Sequence, residues 1–145
     1  MWSFEHSVET PAGVEGIFEI LSDTGRWSEW NGGVERIELD GPFETGTAGV
    51  MVLAGGDSLR FRLAWVGENQ GFEDETPIPG EQALVRVRHA LVPLPAGDTR
   101  ITYRATVEGA DAERVGPQIG PAVTADFPEV MAALAARAEA AAARA

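Results

Sequence analysis

The chain has no cysteine and, within its 11 basic residues, no lysine; it has a single tyrosine and two histidines. Without cysteine there are no disulfides, thiol nucleophiles, iron–sulfur ligands or thiolate zinc sites. Without lysine there is no P-loop lysine, Schiff base or amine nucleophile. Neither a Gly-x-Ser-x-Gly elbow nor a Gly-x-Gly-x-x-Gly turn occurs, which removes two common signatures of hydrolases and dinucleotide-binding proteins. Long apolar runs are missing too. Val50-Met-Val-Leu-Ala54 falls far short of the roughly 20 residues that span a bilayer, and Glu5 and His6 interrupt any secretory leader. The expectation is a cytoplasmic protein with no membrane insertion.

Positive charge is also scarce, with 23 acids against 11 arginines and a net charge of −12. Such a chain repels nucleic acid and anionic lipid, which are bound through basic stripes, so no nucleic-acid partner is expected. The acidity is accounted for by solubility. At 145 residues, 44% of them apolar, the chain reads as one domain over 1–145. It is long enough to bury roughly 68–70% of its unfolded surface.

The periodicity is that of an α+β protein. Trp2, Phe4, His6 and Val8 alternate with polar residues as in a half-buried strand. Thr10-Pro11 reads as a helix start, and Val14, Ile17, Phe18 and Leu21 mark one helical face. The stretch Ser22 to Gly33 (SDTGRWSEWNGG) places Trp27 and Trp30 among turn formers, with Asp23 in position to cap the turn that carries them. Beyond it the period returns to two. Leu59, Phe61, Leu63 and Trp65 share one strand face, Val85, Val87, His89 and Leu91 another, and Ile101, Tyr103 and Val107 a third. The alternate positions carry Arg60, Arg62, Arg86, Arg88, Arg100 and Arg104, for which cross-strand pairing with acids is the ordinary role. This alternation with short turns predicts a curved antiparallel sheet with one wet face. A helical stripe through Val123, Phe127, Val130, Met131, Leu134 and Ala138 closes the chain. Pro128 either kinks one long helix or follows a fresh cap at Asp126.

The order strand, helix, Asp-x-x-x-Trp-x-x-Trp, six strands, long terminal helix resembles the START-related helix-grip superfamily. Within it the likeness is to bacterial polyketide cyclase/dehydrase-type proteins. It is carried by Thr10-Pro11-Ala12, Val14 to Leu21, Asp23, Trp27, Trp30, Gly46-Thr47, Val107-Glu108-Gly109 and Leu134 to Glu139. The resemblance implies a helix-grip fold. Two short helices follow strand 1, and six to seven antiparallel strands wrap a long C-terminal helix. It also implies a cavity between sheet and helix for a small apolar or aromatic ligand, with no cofactor. In that fold the lining would be drawn from Phe18, Trp30, Phe61, Trp65, Val87, His89, Leu91, Ile101, Tyr103, Val107, Phe127 and Met131. Trp27 and Trp30 would pack the short helices on the rim, either as plain core or lid packing or with one of them lining the mouth.

His89 and Tyr103 are the candidates for chemistry. An inward imidazole could be a general base or hold a ligand hydroxyl; equally, it could be a neutral histidine bonded to a neighbouring strand or to Tyr103. The phenol could meet a ligand's polar end or be satisfied within the core. His6 reads as an edge residue. With no third ligand at close spacing, the histidines do not suggest a metal site. Three functions fit: a binding module for a hydrophobic molecule, a cofactor-free cyclase/dehydrase-like enzyme with His89 as acid/base and Tyr103 polarising a carbonyl, or a closed-core interaction protein. Fold alone does not choose between them.

Overall fold

The computed structural model describes residues 1–144. Strand β1 (Trp2–Thr10) leads into helix α1 (Val14–Ser22) and a 3-10 turn (Thr24–Glu29), which carry the chain to the far side of the sheet. Strands β2 (Val34–Leu39), β3 (Ala48–Leu53), β4 (Ser58–Gly67), β5 (Gly71–Pro77), β6 (Leu84–Pro93) and β7 (Thr99–Glu108) then run back in a meander. Helices α2 (Ala112–Thr124) and α3 (Phe127–Arg144) follow. The result is one seven-stranded sheet in the order β1-β7-β6-β5-β4-β3-β2, antiparallel at every pairing. The helix-grip expectation is met.

The two sheet faces differ as the alternation requires. Phe61, Leu63, Val85, Val87, Leu91, Ile101, Tyr103 and Val107 are all buried on the inner side with Ile17, Leu21, Met131 and Leu134 of the helices. The arginines stand outside and pair across strands. Arg86 reaches Glu73 at 3.2 Å, Glu75 at 2.7 Å and Glu108 at 2.8 Å, which raises the guanidinium pKa and holds Glu108 below the usual carboxylate range. Each such surface pair contributes little alone. The ladder fixes which carboxylates face outward.

Local details correct three sequence expectations and decide a fourth point that was left open. Helix α1 starts at Val14 rather than at Pro11, with Gly13 at its N-cap. Thr10 instead donates its hydroxyl to Glu139 at 2.6 Å and accepts from the Ala12 N–H, tying strand β1 to α3. Asp23 makes no side-chain cap; its carbonyl accepts from the Arg26 N–H, and its carboxylate lies 3.6 Å from the same guanidinium. Of the two readings of Pro128, the fresh start at Asp126 is the one found. The chain breaks at Ala125–Asp126 and α3 starts afresh, the Asp126 carbonyl taking the Val130 N–H at 2.9 Å; in the first turn the missing proline N–H costs nothing.

The third correction concerns β4. Pairing with β5 runs Leu63 to Asp74 and then Trp65 to Glu73, so one extra residue, Ala64, is accommodated as a bulge. The bulge inverts the parity beyond it. Trp65 therefore turns to the outer face, where the Arg88 guanidinium sits 4.4 Å from its ring centroid, and Val66 takes the register opposite Phe72. Trp65 is not part of the interior.

Helix α2 lies across Trp2. A Cβ at Gly116 would come within 2.5 Å of Trp2 Cβ, and one at Gly120 within 2.6 Å of the indole. Only glycine permits that approach. Pro117 and Pro121 fall on the exposed side of this helix, where the carbonyls they leave unpaired face water.

Candidate functional site

The centre of the inner face is built by β5, β6 and β7. Along β5 the side chains of Phe72, Asp74 and Thr76 point inward. The register pairs Phe72 with His89, Asp74 with Val87 and Thr76 with Val85, and pairs His89 in turn with Tyr103. Residues directly paired across strands share a face, so an aromatic row crosses the sheet. Phe72 stacks on His89 with centroids 3.9 Å apart, His89 meets Tyr103 edge-on at 4.4 Å, and Tyr103 meets Phe127 of α3 at 5.5 Å. Gly71 makes the start of this row possible. Its φ is +130°, and a Cβ there would lie 1.9 Å from the His89 carbonyl oxygen, so no other residue allows β5 to close on β6 at that point.

Beside this row lies a cavity of about 440 Å³, bounded by the sheet, by the break between α2 and α3, and by Trp27. That volume lies within the range of small-molecule pockets. The walls are mostly apolar: Val34, Met51, Leu59, Val85, Val123 and Val130 among them. The polar groups are few and specific. His89, Tyr103, Asp74, Thr76, Asn31 and Asp126 all border the space.

Burial sets their charge states. Asp74 is desolvated and flanked by Glu73 and Glu75, which together push its pKa up to about 7. His89 is pushed down to about 3 by desolvation, against backbone hydrogen bonding that favours the charged form. Tyr103 is raised, first by burial and then by the nearby Asp74 and Asp126 carboxyls, and Asp126 itself is raised by desolvation. Near neutral pH the imidazole and the phenol are uncharged and Asp74 is poised between its two forms. His89 Nδ1 lies 3.3 Å from the Phe72 carbonyl oxygen. The N–H of a neutral ring belongs there, since a carbonyl can only accept. Nε2 is then the acceptor, and it stands 4.0 Å from Asp74 Oδ2. That is too long for a direct hydrogen bond and suits one bridging hydroxyl or amine.

The structure brings together four of the expected lining residues, Val87, His89, Tyr103 and Phe127. Phe61, Leu91, Ile101, Val107 and Met131 are buried in the solid core away from the opening. Phe18 packs edge-on against Phe43 at 6.2 Å. The two tryptophans divide. Trp27 is buried, donates its indole N–H to the Leu21 carbonyl at 2.9 Å, and lines the cavity. Trp30, its ring 5.7 Å away, faces a second groove of about 730 Å³ between α1 and α3, crossed by the Arg137–Glu29 ion pair. His6 is half-buried on the edge strand, paired with Tyr103 across β7. Asp74 is the residue that sequence reading passed over. The signal was present in the alternation of Phe72, Asp74 and Thr76, but the run Glu73-Asp74-Glu75 reads as a solvated acidic face.

Among the described residues no cluster of three histidine, cysteine or acidic side chains could hold a metal ion, and no helix is long and apolar enough to cross a membrane.

The fold has many solved relatives, and the three that follow are distant in sequence. The crystal structure of Ara h 8.0201 superposes with a TM-score of 0.75 at 13% identity, over 95% of this chain and 97% of that one. A START superfamily protein from Mycobacterium smegmatis gives 0.71 at 19%, over 94% and 97%. The di-domain ARO/CYC protein BexL of the BE-7585A biosynthetic pathway gives 0.72 at 14%, over 95% of this chain and 50% of that one. No curated protein sequence matches this chain. The family model described as polyketide cyclase / dehydrase and lipid transport matches residues 1–139. With the helix-grip sheet and the interior space in place, the chain belongs to that family.

Proposed function

We propose that this protein binds a small, largely apolar or aromatic molecule in the space between the sheet and α3. The observation that carries the reading is the roughly 440 Å³ cavity, walled by aliphatic side chains and closed at one side by the Phe72–His89–Tyr103–Phe127 aromatic row. A closed-core interaction protein would have filled that volume, since interiors pack to crystal density. Apolar walls with a few convergent polar groups are the usual composition of a ligand site. The family description and the cyclase-type neighbour are consistent with a ring-bearing ligand.

The experiment is a titration with 2-naphthylmethanol, a neutral ring of fitting size, followed by calorimetry and by quenching of tryptophan fluorescence. Saturable binding at one site per chain, abolished by Val87→Trp, supports the reading. Absence of saturable binding by this and other neutral two-ring probes would sink it.

One arrangement favours a second reading, proton-transfer catalysis. An acid or base works best with its pKa near the working pH. That describes Asp74, held near 7, better than His89, which burial leaves a weak base. In such an enzyme Asp74 would move the proton, His89 Nε2 would accept a hydrogen bond from the reacting group, and the neutral Tyr103 phenol would polarise a carbonyl. A rate on an enolisable substrate that follows the ionisation of Asp74 would support this; a rate unaffected by Asp74→Asn would exclude it.

A further inference from the structure

The cavity holds no cation near neutral pH. Asp74 and Asp126 are its only carboxyls, His89, Tyr103, Thr76 and Asn31 are neutral, and among the described residues no arginine lines it. The arginines nearest in sequence, Arg86 and Arg88, project from the other face of β6 into pairs with Glu73, Glu75 and Glu108. An anionic ligand head would therefore enter a desolvated space holding carboxyls and no cation, inside a chain of net charge −12. A buried charge without a partner is expensive. Its donors, the Tyr103 and Thr76 hydroxyls and the Asn31 amide, are all uncharged, and its acceptors include a close pair. His89 Nε2 and Asp74 Oδ2 stand 4.0 Å apart, too far for a direct hydrogen bond. Asp126 borders the same space from the start of α3.

Resting on the binding role proposed above, we infer that the ligand presents a hydrogen-bond donor to this acceptor pair, an organic ammonium in preference to a hydroxyl, and that carboxylates are excluded. A single N–H₃⁺ seated between His89 and Asp74 can donate to both, whereas an O–H has one proton and donates to only one of them. The ammonium gains more, because its charge offsets the buried carboxylate and charge-assisted hydrogen bonds are the stronger kind. Around Asp74 the groups that set its ionisation are Glu73 and Glu75 on its own strand, His89 from β6, Tyr103 from β7 and Asp126 from the helix break; β4 presents Leu63 opposite it. None of these is a cation at neutral pH, so the ammonium would be the first one the carboxylate meets.

The test uses three probes of one shape: 2-naphthylmethylammonium, 2-naphthylmethanol and 2-naphthoate, titrated calorimetrically into the full chain. The ammonium is expected to bind at least about tenfold more tightly than the naphthoate, a difference one charge-assisted contact can supply, with the alcohol between. Raising the pH from about 5.5 to about 8.5, across the ionisation of Asp74, should tighten the ammonium several-fold and leave the alcohol nearly unchanged. In Asp74→Asn the ammonium should lose its advantage and its pH dependence while the alcohol still binds. Asp126→Asn, which removes a carboxyl farther from His89, should reduce the preference without abolishing it. If the naphthoate binds as tightly as the ammonium, the inference fails and the cavity role stands. If none of the three binds, both fail together.

Discussion

At the scale of single residues, Asp74 and His89 form a matched pair whose ionisations oppose each other in the folded state. Asp74 is raised to about 7, above its unfolded value near 4; its contribution to stability is full at low pH and is lost as pH rises through 7. His89 is lowered to about 3; its contribution is full above about 6.5 and is lost as pH falls through 3. Between about pH 4 and about pH 6.5 the folded pair and the unfolded pair bind the same number of protons, one each, on different residues. Their joint effect on stability is flat there. Removing one partner exposes the other. In Asp74→Asn, stability should fall with decreasing pH below about 6.5, and in His89→Gln it should fall with increasing pH from about 4 to 7. Each slope approaches about 1.4 kcal/mol per pH unit at the limit. Urea unfolding at a series of pH values measures this, and parallel profiles for the wild type and both variants would contradict the assigned ionisations. His89 could be placed inside from alternation alone, since Val87 and Leu91 flank it on one face. Asp74 could not, because three consecutive acids hide which of them faces in until the register with β6 is known.

At the scale of elements, the hydrophobic period located the strands, and its failures came where the chain departs from strict alternation. The reading of β4 went wrong at Ala64 because a bulge needs only one extra residue and leaves no composition mark. The consequence is measurable. Trp65→Ala should leave ligand affinity within about twofold while removing the stacking on Arg88, worth about 0.5–1 kcal/mol at an exposed site; a loss of binding would place Trp65 inside after all. Helix α2 shows the opposite case, a contact invisible to periodicity. Gly120→Ala gains about 1 kcal/mol in helix propensity, but its methyl would overlap the Trp2 indole at 2.6 Å, and overpacking typically costs about 1–3 kcal/mol. Net destabilisation is expected, seen as a lower Tm. In a Trp2→Ala background the overlap is gone, and the same substitution should become neutral or stabilising. A penalty that persists without Trp2 would refute the packing explanation.

At the scale of the whole molecule, the alternation predicted a curved antiparallel sheet and a terminal helix, and the wrapping of one around the other was what the family resemblance implied. Neither was enough for the cavity's lining. Which inward residues line an opening and which fill the core depends on where α2 breaks from α3 and how Trp27 and Trp30 settle against the sheet. Val87, Leu91, Ile101 and Val107 have the same pattern in sequence, yet only Val87 of these borders the space. The four tryptophans report on four separate regions: Trp2 beneath α2, Trp27 at the cavity, Trp30 at the outer groove, and Trp65 on the outer face. The most direct test of the binding role is therefore an NMR titration of the indole N–H signals with 2-naphthylmethanol. The expected result is a saturable shift largest at Trp27, smaller at its neighbour Trp30, and negligible at Trp2 and Trp65. Shifts centred on Trp30 with Trp27 unmoved would put the ligand in the groove between α1 and α3, and contradict the cavity assignment.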